Sequence, residues 1–171
     1  MSGAGKKRKK SDSEAARGRV YTLDVRIVSG PVTRKFAKKN KVISRRIQFR
    51  GDQTLAHLHD AIFSAFDRDD EHMYEFQIGG KGPMDDNAKR YGPSLGGEDP
   101  FDDVTDVGDS THTTMGSLGL KVGATFSYWF DFGDDWWHQI DVVAIEEAAP
   151  GRRYPLLVRR IGDSPPQYAD L

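Results

Sequence analysis

The sequence predicts an α+β domain: a mostly antiparallel sheet, one principal amphipathic helix packed on it, and an aromatic-rich hairpin toward the C-terminus. Three observations predict it. Five stretches alternate apolar and polar residues with the period of a strand. One stretch repeats its large apolar residues at spacings of three and four. Residues 126–138, Phe-Ser-Tyr-Trp-Phe-Asp-Phe-Gly-Asp-Asp-Trp-Trp-His, join two alternating runs through a Gly-Asp-Asp turn.

Residues 1–19 are small, charged and nearly free of large apolar side chains, so they predict a disordered basic tail; residues 20–171 then form a single domain. Tyr21, Leu23, Val25 and Ile27 alternate as a first strand, which Ser29-Gly30-Pro31 breaks. Val42 to Phe49 reads as a second strand, with Arg45 and Arg46 on opposite faces. The principal helix spans Thr54 to Phe66. Asp52 or Thr54 caps it, and Leu55, Leu58, Ile62 and Phe66 form its apolar stripe. His57 and His59 sit roughly 200° apart on that helix, so they cannot share a metal; His59, near the stripe edge, reads as a packing residue.

Met73 to Ile78 alternates as a third strand. Residues 79–112 read as a long loop rich in glycine and in acids: Asp85, Asp86, Glu98, Asp99, Asp102, Asp103, Asp106 and Asp109. Asp103–Gly108 carries the glycine of a calcium loop, but Thr105, Val107 and Thr114 stand where acidic or amide ligands belong, so the pattern weighs against a specific calcium site. A short helical turn follows within Thr113–Leu120. In the hairpin, a loop of Gly133, Asp134 and Asp135 pairs Phe132 with Trp136, Phe130 with His138 and Tyr128 with Ile140, giving one apolar face. Tyr154 to Ile161 offers a last strand. Ser164-Pro165-Pro166-Gln167-Tyr168 runs out as an extended segment, which either lies along its own domain or docks in another protein's groove.

The net charge of −1 conceals an asymmetry: residues 1–50 carry 16 Lys or Arg against 3 Asp or Glu, and residues 51–171 carry 9 against 23. Lys6, Lys7, Arg8, Lys9 and Lys10 form an unbroken basic run suited to phosphate contacts, and Arg34, Lys35, Lys38, Lys39 and Lys41 form a second cluster. No base-reading motif accompanies either, so the nucleic-acid binding they imply is sequence-tolerant. The chain has no cysteine, which excludes disulfide and thiolate chemistry. No apolar run approaches the ~20 residues of a membrane helix, and the basic N-terminus lacks the apolar segment of a secretory signal, so the expected location is the cytoplasm, with no membrane partner.

Asp131-Phe132-Gly133 spells a kinase magnesium motif, but no catalytic loop or Gly-rich phosphate loop accompanies it. The enzymatic alternative is a cleft near the hairpin tip formed by His72, Asp131, Asp134, Trp136 and His138, in which two histidines and carboxylates suit zinc, iron or manganese. Against it, Asp134 and Asp135 are turn formers and His138 is a packed histidine beside Phe130. On that balance no catalytic residue, metal ligand or cofactor is assigned. Tyr21, Tyr128 and Trp129 have base-stacking chemistry, or serve packing.

The run Tyr21–Ile27, Thr54-Leu55-x-x-Leu58-His59, His72-x-Tyr74-Glu75-Phe76-x-Ile78-Gly79, Tyr128-x-Phe130-Asp131-Phe132-Gly133-Asp134-x-Trp136-x-His138-x-Ile140 and Tyr154-Pro155 resembles the plasmid pRiA4b ORF-3-like family over roughly residues 20–168. The resemblance implies an α+β domain of bacterial or archaeal origin with an accessory role in mobile elements such as plasmids and insertion sequences. Many members carry a Cys- and Pro-rich C-terminal stretch; this chain lacks its cysteines. The first expectation is a non-enzymatic binding module for DNA or a DNA-handling protein. The alternatives are a metal-dependent enzyme and a protein-interaction adaptor using Pro165-Pro166 and the acidic segment. Oligomeric state is not legible.

Overall fold

A computed structural model describes residues 16–93 and 107–169. The basic run Lys6–Lys10 and five of the eight acids of the acidic segment, Glu98, Asp99, Asp102, Asp103 and Asp106, lie outside them.

Among the described residues eight strands form one sheet: β1 (Arg19–Ser29), β2 (Ser44–Arg50), β3 (Tyr74–Ile78), β4 (Lys89–Gly92), β5 (Val107–Asp109), β6 (Thr125–Phe130), β7 (Trp136–Glu147) and β8 (Leu156–Ile161). Their order across the sheet is β5-β4-β3-β6-β7-β1-β2-β8. Every pairing is antiparallel except β4 with β5. The long strands β1 and β7 pair from Arg19↔Glu147 to Ser29↔Trp137 and form the centre. Among the described residues no helix is long and apolar enough to cross a membrane.

The predicted helix is present as α2 (Leu55–Ala65), following the short α1 (Arg34–Lys39). Thr54, not Asp52, caps α2: its side chain accepts from the His57 amide, while His57 Nδ1 accepts from the Thr54 amide (3.1 Å). The stripe Leu55, Leu58 and Ile62 is fully buried against the sheet, at roughly 1.5–3 kcal/mol per side chain. At the other end of α2, the buried Arg45 of β2 donates from Nε to the free Ala65 carbonyl (2.8 Å) and from Nη1 to the Ile161 and Gly162 carbonyls. A cation at a helix C-terminus satisfies otherwise orphaned acceptors. It also ties the helix to β2 and to the edge strand β8.

Three expectations require correction. The hairpin turns on Asp131–Asp135 rather than Gly133–Asp135, pairing Phe130 with Trp136 and Tyr128 with His138. Asp131 is the reason. Its Oδ1 accepts from the Gly133 and Asp134 amides (3.1 and 3.2 Å), its carbonyl accepts from Asp135 N (2.7 Å), and Asp131 and Asp135 both adopt positive φ. The slip is two residues, so the apolar face survives, but Phe132 leaves the strand. The segment 79–112 contains β4 and β5, too short for a periodic signal. The helix α1 was not expected: four basic residues in six hide Phe36, its one core-facing side chain.

Candidate functional site

The helix covers one face of the sheet, where Phe76, Tyr128, Phe130, Ile140 and Val142 are buried. The alternate residues of β6 and β7 face the other way and are partly exposed: Thr125, Ser127 and Trp129, then Trp137, Gln139 and Asp141. Cross-strand pairing sets Trp129 opposite Trp137, and their rings lie parallel at 5.0 Å with 5° between planes. Phe132, expelled from the strand by the five-residue turn, stacks on Trp129 at 4.1 Å. Trp129 Nε1 donates to Asp135 Oδ1 (2.8 Å), which fixes its ring. On β1 the residue paired with Trp137 is Ser29, too small to cover the indole.

The next row of the same face is Ser127 beside Gln139. It floors a groove of about 380 Å³ bounded by Val28, Gln77, Thr125 and the Gly80–Pro83 loop, with Lys81 among its lining residues. The loop is held down by β3: Gln77 Oε1 accepts from Met84 N (2.9 Å), and Asp85 accepts from Lys81 N (2.7 Å). The acids of this face are engaged internally. Arg46 makes a two-pronged contact to Asp24 (2.6 and 2.9 Å), Arg90 does the same to Glu75 (2.6 and 2.8 Å), and Asp141 accepts from Thr125 and Gln139. Arg26, exposed and paired in register with Gln139, forms no ion pair among the described residues, and neither does Lys81.

A second set of polar groups lies under the helix. The His59 ring stacks on Tyr74 (3.8 Å, 7°); its Nδ1 meets Tyr128 Oη (2.5 Å) and its Nε2 meets Glu71. A carboxylate only accepts, so Nε2 carries the proton and Nδ1 accepts the Tyr128 hydroxyl. Burial lowers the His59 pKa and raises that of Tyr128 well above the ordinary phenol value. The neighbouring His138 donates from Nδ1 to the Tyr128 carbonyl (3.1 Å) and accepts at Nε2 from Arg68 Nη2 (2.8 Å). Both nitrogens are occupied, and burial holds its pKa well below the usual imidazole value. Arg68 sits against the rings of Phe130, Phe66 and Trp136 at 4.8–5.2 Å, and burial lowers its pKa to about 10.

The five residues of the sequence-derived cleft separate into two groups. His72 and Asp131 meet near the surface (Nε2 to Oδ2, 3.5 Å), with Asp134 donating its amide to Asp131. Trp136 and His138 are 1 % exposed and lie deeper, on Arg68. Phe130 touches both groups. Expected beside Phe130, His138 instead contacts Phe66 and its cross-strand neighbour Tyr128. Of the three stacking candidates, Tyr21 and Tyr128 are buried and Trp129 alone stands on the open face. The Pro-containing segment runs along its own domain. Pro165 is buried, Gln167 Oε1 accepts from the Asp69 and Asp70 amides, and Tyr168 Oη meets His72 (2.8 Å). Arg68 and Glu71 carry no sequence signal, because an aperiodic loop does not show which side chains turn inward.

A family model described as plasmid pRiA4b ORF-3-like protein matches residues 33–169. The chain belongs to that family. Among solved structures, that of MM3350, a protein of unknown function from Methanosarcina mazei Go1, is similar: TM-score 0.66 and 22 % identity, over 88 % of this chain and 73 % of that one. Among curated proteins no sequence matches. The pRiA4b ORF-3-like match contains the whole Trp129–Trp137 hairpin, the Lys81 loop and the His59 layer, whereas β1 lies before it.

Proposed function

We propose that this pRiA4b ORF-3-like protein is a non-enzymatic module that binds single-stranded DNA across the open face of its sheet. The observation that carries the reading is the parallel Trp129–Trp137 pair, partly exposed, beside a groove floored by Ser127, Gln77 and Gln139. Indole faces stack on any base, and a stacked base on such a surface contributes about 1–3 kcal/mol without choosing sequence. A base continuing the ring stack over Trp137 passes above Ser29. In the adjoining row Gln77 is committed to Glu75 and Met84, so the groups turned to a base edge are the Ser127 hydroxyl and the Gln139 carbonyl oxygen. Arg26, opposite Gln139, and Lys81, at the groove wall, are the cations nearest this row and supply its phosphate contacts. Further phosphate contacts come from exposed Arg34, Lys35, Lys38 and Lys39 of α1 and from Lys6–Lys10.

This arrangement divides the work. Aromatic rings set the preference for unpaired bases, and the basic segments set the strength and its salt dependence. The test is a binding titration of labelled single-stranded and duplex DNA at several salt concentrations, with the intact chain and with residues 1–12 deleted. Single strands bind more tightly than duplex. The deletion weakens binding and flattens the salt dependence by roughly 0.7 of a slope unit for each phosphate it leaves without a cation. Equal affinity for duplex and single strand, or no binding at low salt, contradicts the proposal.

A further inference from the structure

On the helix side, away from the tryptophan face, a second site is built around His59. We infer that His59, Asp60 and Glu71 bind one first-row divalent cation. Their ligand atoms, one from each residue, all lie within 4.8 Å of one another. A metal such as zinc holds nitrogen and oxygen ligands at about 2 Å, so paired ligands stand roughly 3–4 Å apart around it. The set therefore closes on an ion with small rotations of two exposed carboxylates, Glu71 exchanging its contact with His59 Nε2 for one with the ion.

The imidazole is pre-positioned. Its ring is 3 % exposed, clamped on Tyr74, and its Nδ1 is bonded to Tyr128, so Nε2 is directed outward at the carboxylates. Metal-ligating histidines are characteristically held through their other nitrogen in this way. The loop carrying Glu71 is also fixed. Its start is bonded to the end of α2, with Asp67 N donating to Ser64 O and Arg68 N to Phe63 O. Gln167 bridges the Asp69 and Asp70 amides and donates from Nε2 to the Asp70 carbonyl (2.7 Å). Two separate segments thus converge on one point, and the side chain that joins them comes from the buried layer.

The imidazole is neutral and carries one proton in both states; the ion displaces a proton from Nε2 through Glu71 to solvent, and solvent returns one to Nδ1. Without the ion, Nε2 carries the imidazole proton toward Glu71, and Tyr128 donates to Nδ1. With the ion on Nε2, the imidazole proton resides on Nδ1 and is donated to Tyr128 Oη, so the phenol changes from donor to acceptor. One imidazole and two carboxylates form a mixed nitrogen and oxygen set suited to zinc or manganese. Water completes the coordination on the exposed side.

The experiment is calorimetric titration of the full chain with Zn²⁺ in a non-chelating buffer, repeated with Glu71→Gln and Asp60→Asn. Both substitutions are on exposed side chains and preserve shape. Imidazole ¹⁵N spectra report the tautomer alongside. The expected result is one Zn²⁺ per chain, with affinity reduced at least about tenfold in each variant, and a His59 Nε2 resonance that moves from the protonated to the metal-bound position. Absence of binding at millimolar Zn²⁺, affinity unchanged in either variant, or binding that leaves the His59 resonances unmoved overturns the inference.

Discussion

At the scale of single residues, the polar layer beneath α2 shows how burial and hydrogen bonding settle protonation. His138 has no room for a second proton: Nδ1 already donates to the Tyr128 carbonyl, and Nε2 accepts from the Arg68 guanidinium. Its pKa in the fold therefore lies well below that of an exposed imidazole, beside an Arg68 guanidinium that is charged throughout this range. Above about pH 6.5 the group is neutral in both folded and unfolded chains and adds no pH dependence. Below it the unfolded chain takes up a proton that the fold refuses, so stability falls by up to about 1.4 kcal/mol per pH unit. His138→Gln retains an acceptor for Arg68 and cannot titrate. Denaturant unfolding between pH 7 and pH 5 should therefore lose stability more steeply in the native chain than in the variant; equal slopes contradict this account of His138. The layer was only half legible in the sequence. His59 and His138 announce themselves by type, but their partners Glu71 and Arg68 come from a loop without periodicity, and nothing local to Arg68 says that it turns inward.

At the scale of elements, the period-2 and period-3.6 patterns located what packing enforces and missed what packing does not. The helix α2 was legible because Leu55, Leu58 and Ile62 must share a face and Thr54 stands where free amides need an acceptor. Replacing Thr54 with Ala removes that acceptor and should cost about 1 kcal/mol in unfolding free energy, with Thr54→Ser close to neutral. A loss below a few tenths of a kcal/mol contradicts the cap. The strands β4 and β5 were illegible because four and three residues are too few to show an alternation. The hairpin was legible in its faces but not its register. Both registers put the same residues on the same side, and the choice between them rests on Asp131 accepting two amides from within the turn, a local bond that hydrophobic pattern does not encode. That choice matters. It places Trp129 opposite Trp137 and sends Phe132 outward to stack, and so creates the aromatic surface that the expected three-residue loop would have dispersed.

At the scale of the whole molecule, the sheet separates two kinds of chemistry. The helix side holds the apolar core, the histidine layer and the inferred cation site. The open side presents stacked indoles, an amide-floored groove and basic residues whose acidic neighbours are already paired. The three tryptophans report on the two sides separately, since Trp136 is buried in the core while Trp129 and Trp137 face outward. Intrinsic fluorescence during titration with a single-stranded oligonucleotide at low salt reads whether DNA stacks on the Trp129–Trp137 pair. The open-face reading predicts saturable quenching in the native chain. It also predicts loss of that quenching in a Trp129→Phe/Trp137→Ala variant that keeps its Trp136 emission and its fold, with affinity lowered about five- to a hundredfold, as expected for the loss of one stacked base. Native-like affinity in that variant, or binding by the native chain without quenching, would show that DNA does not use this face.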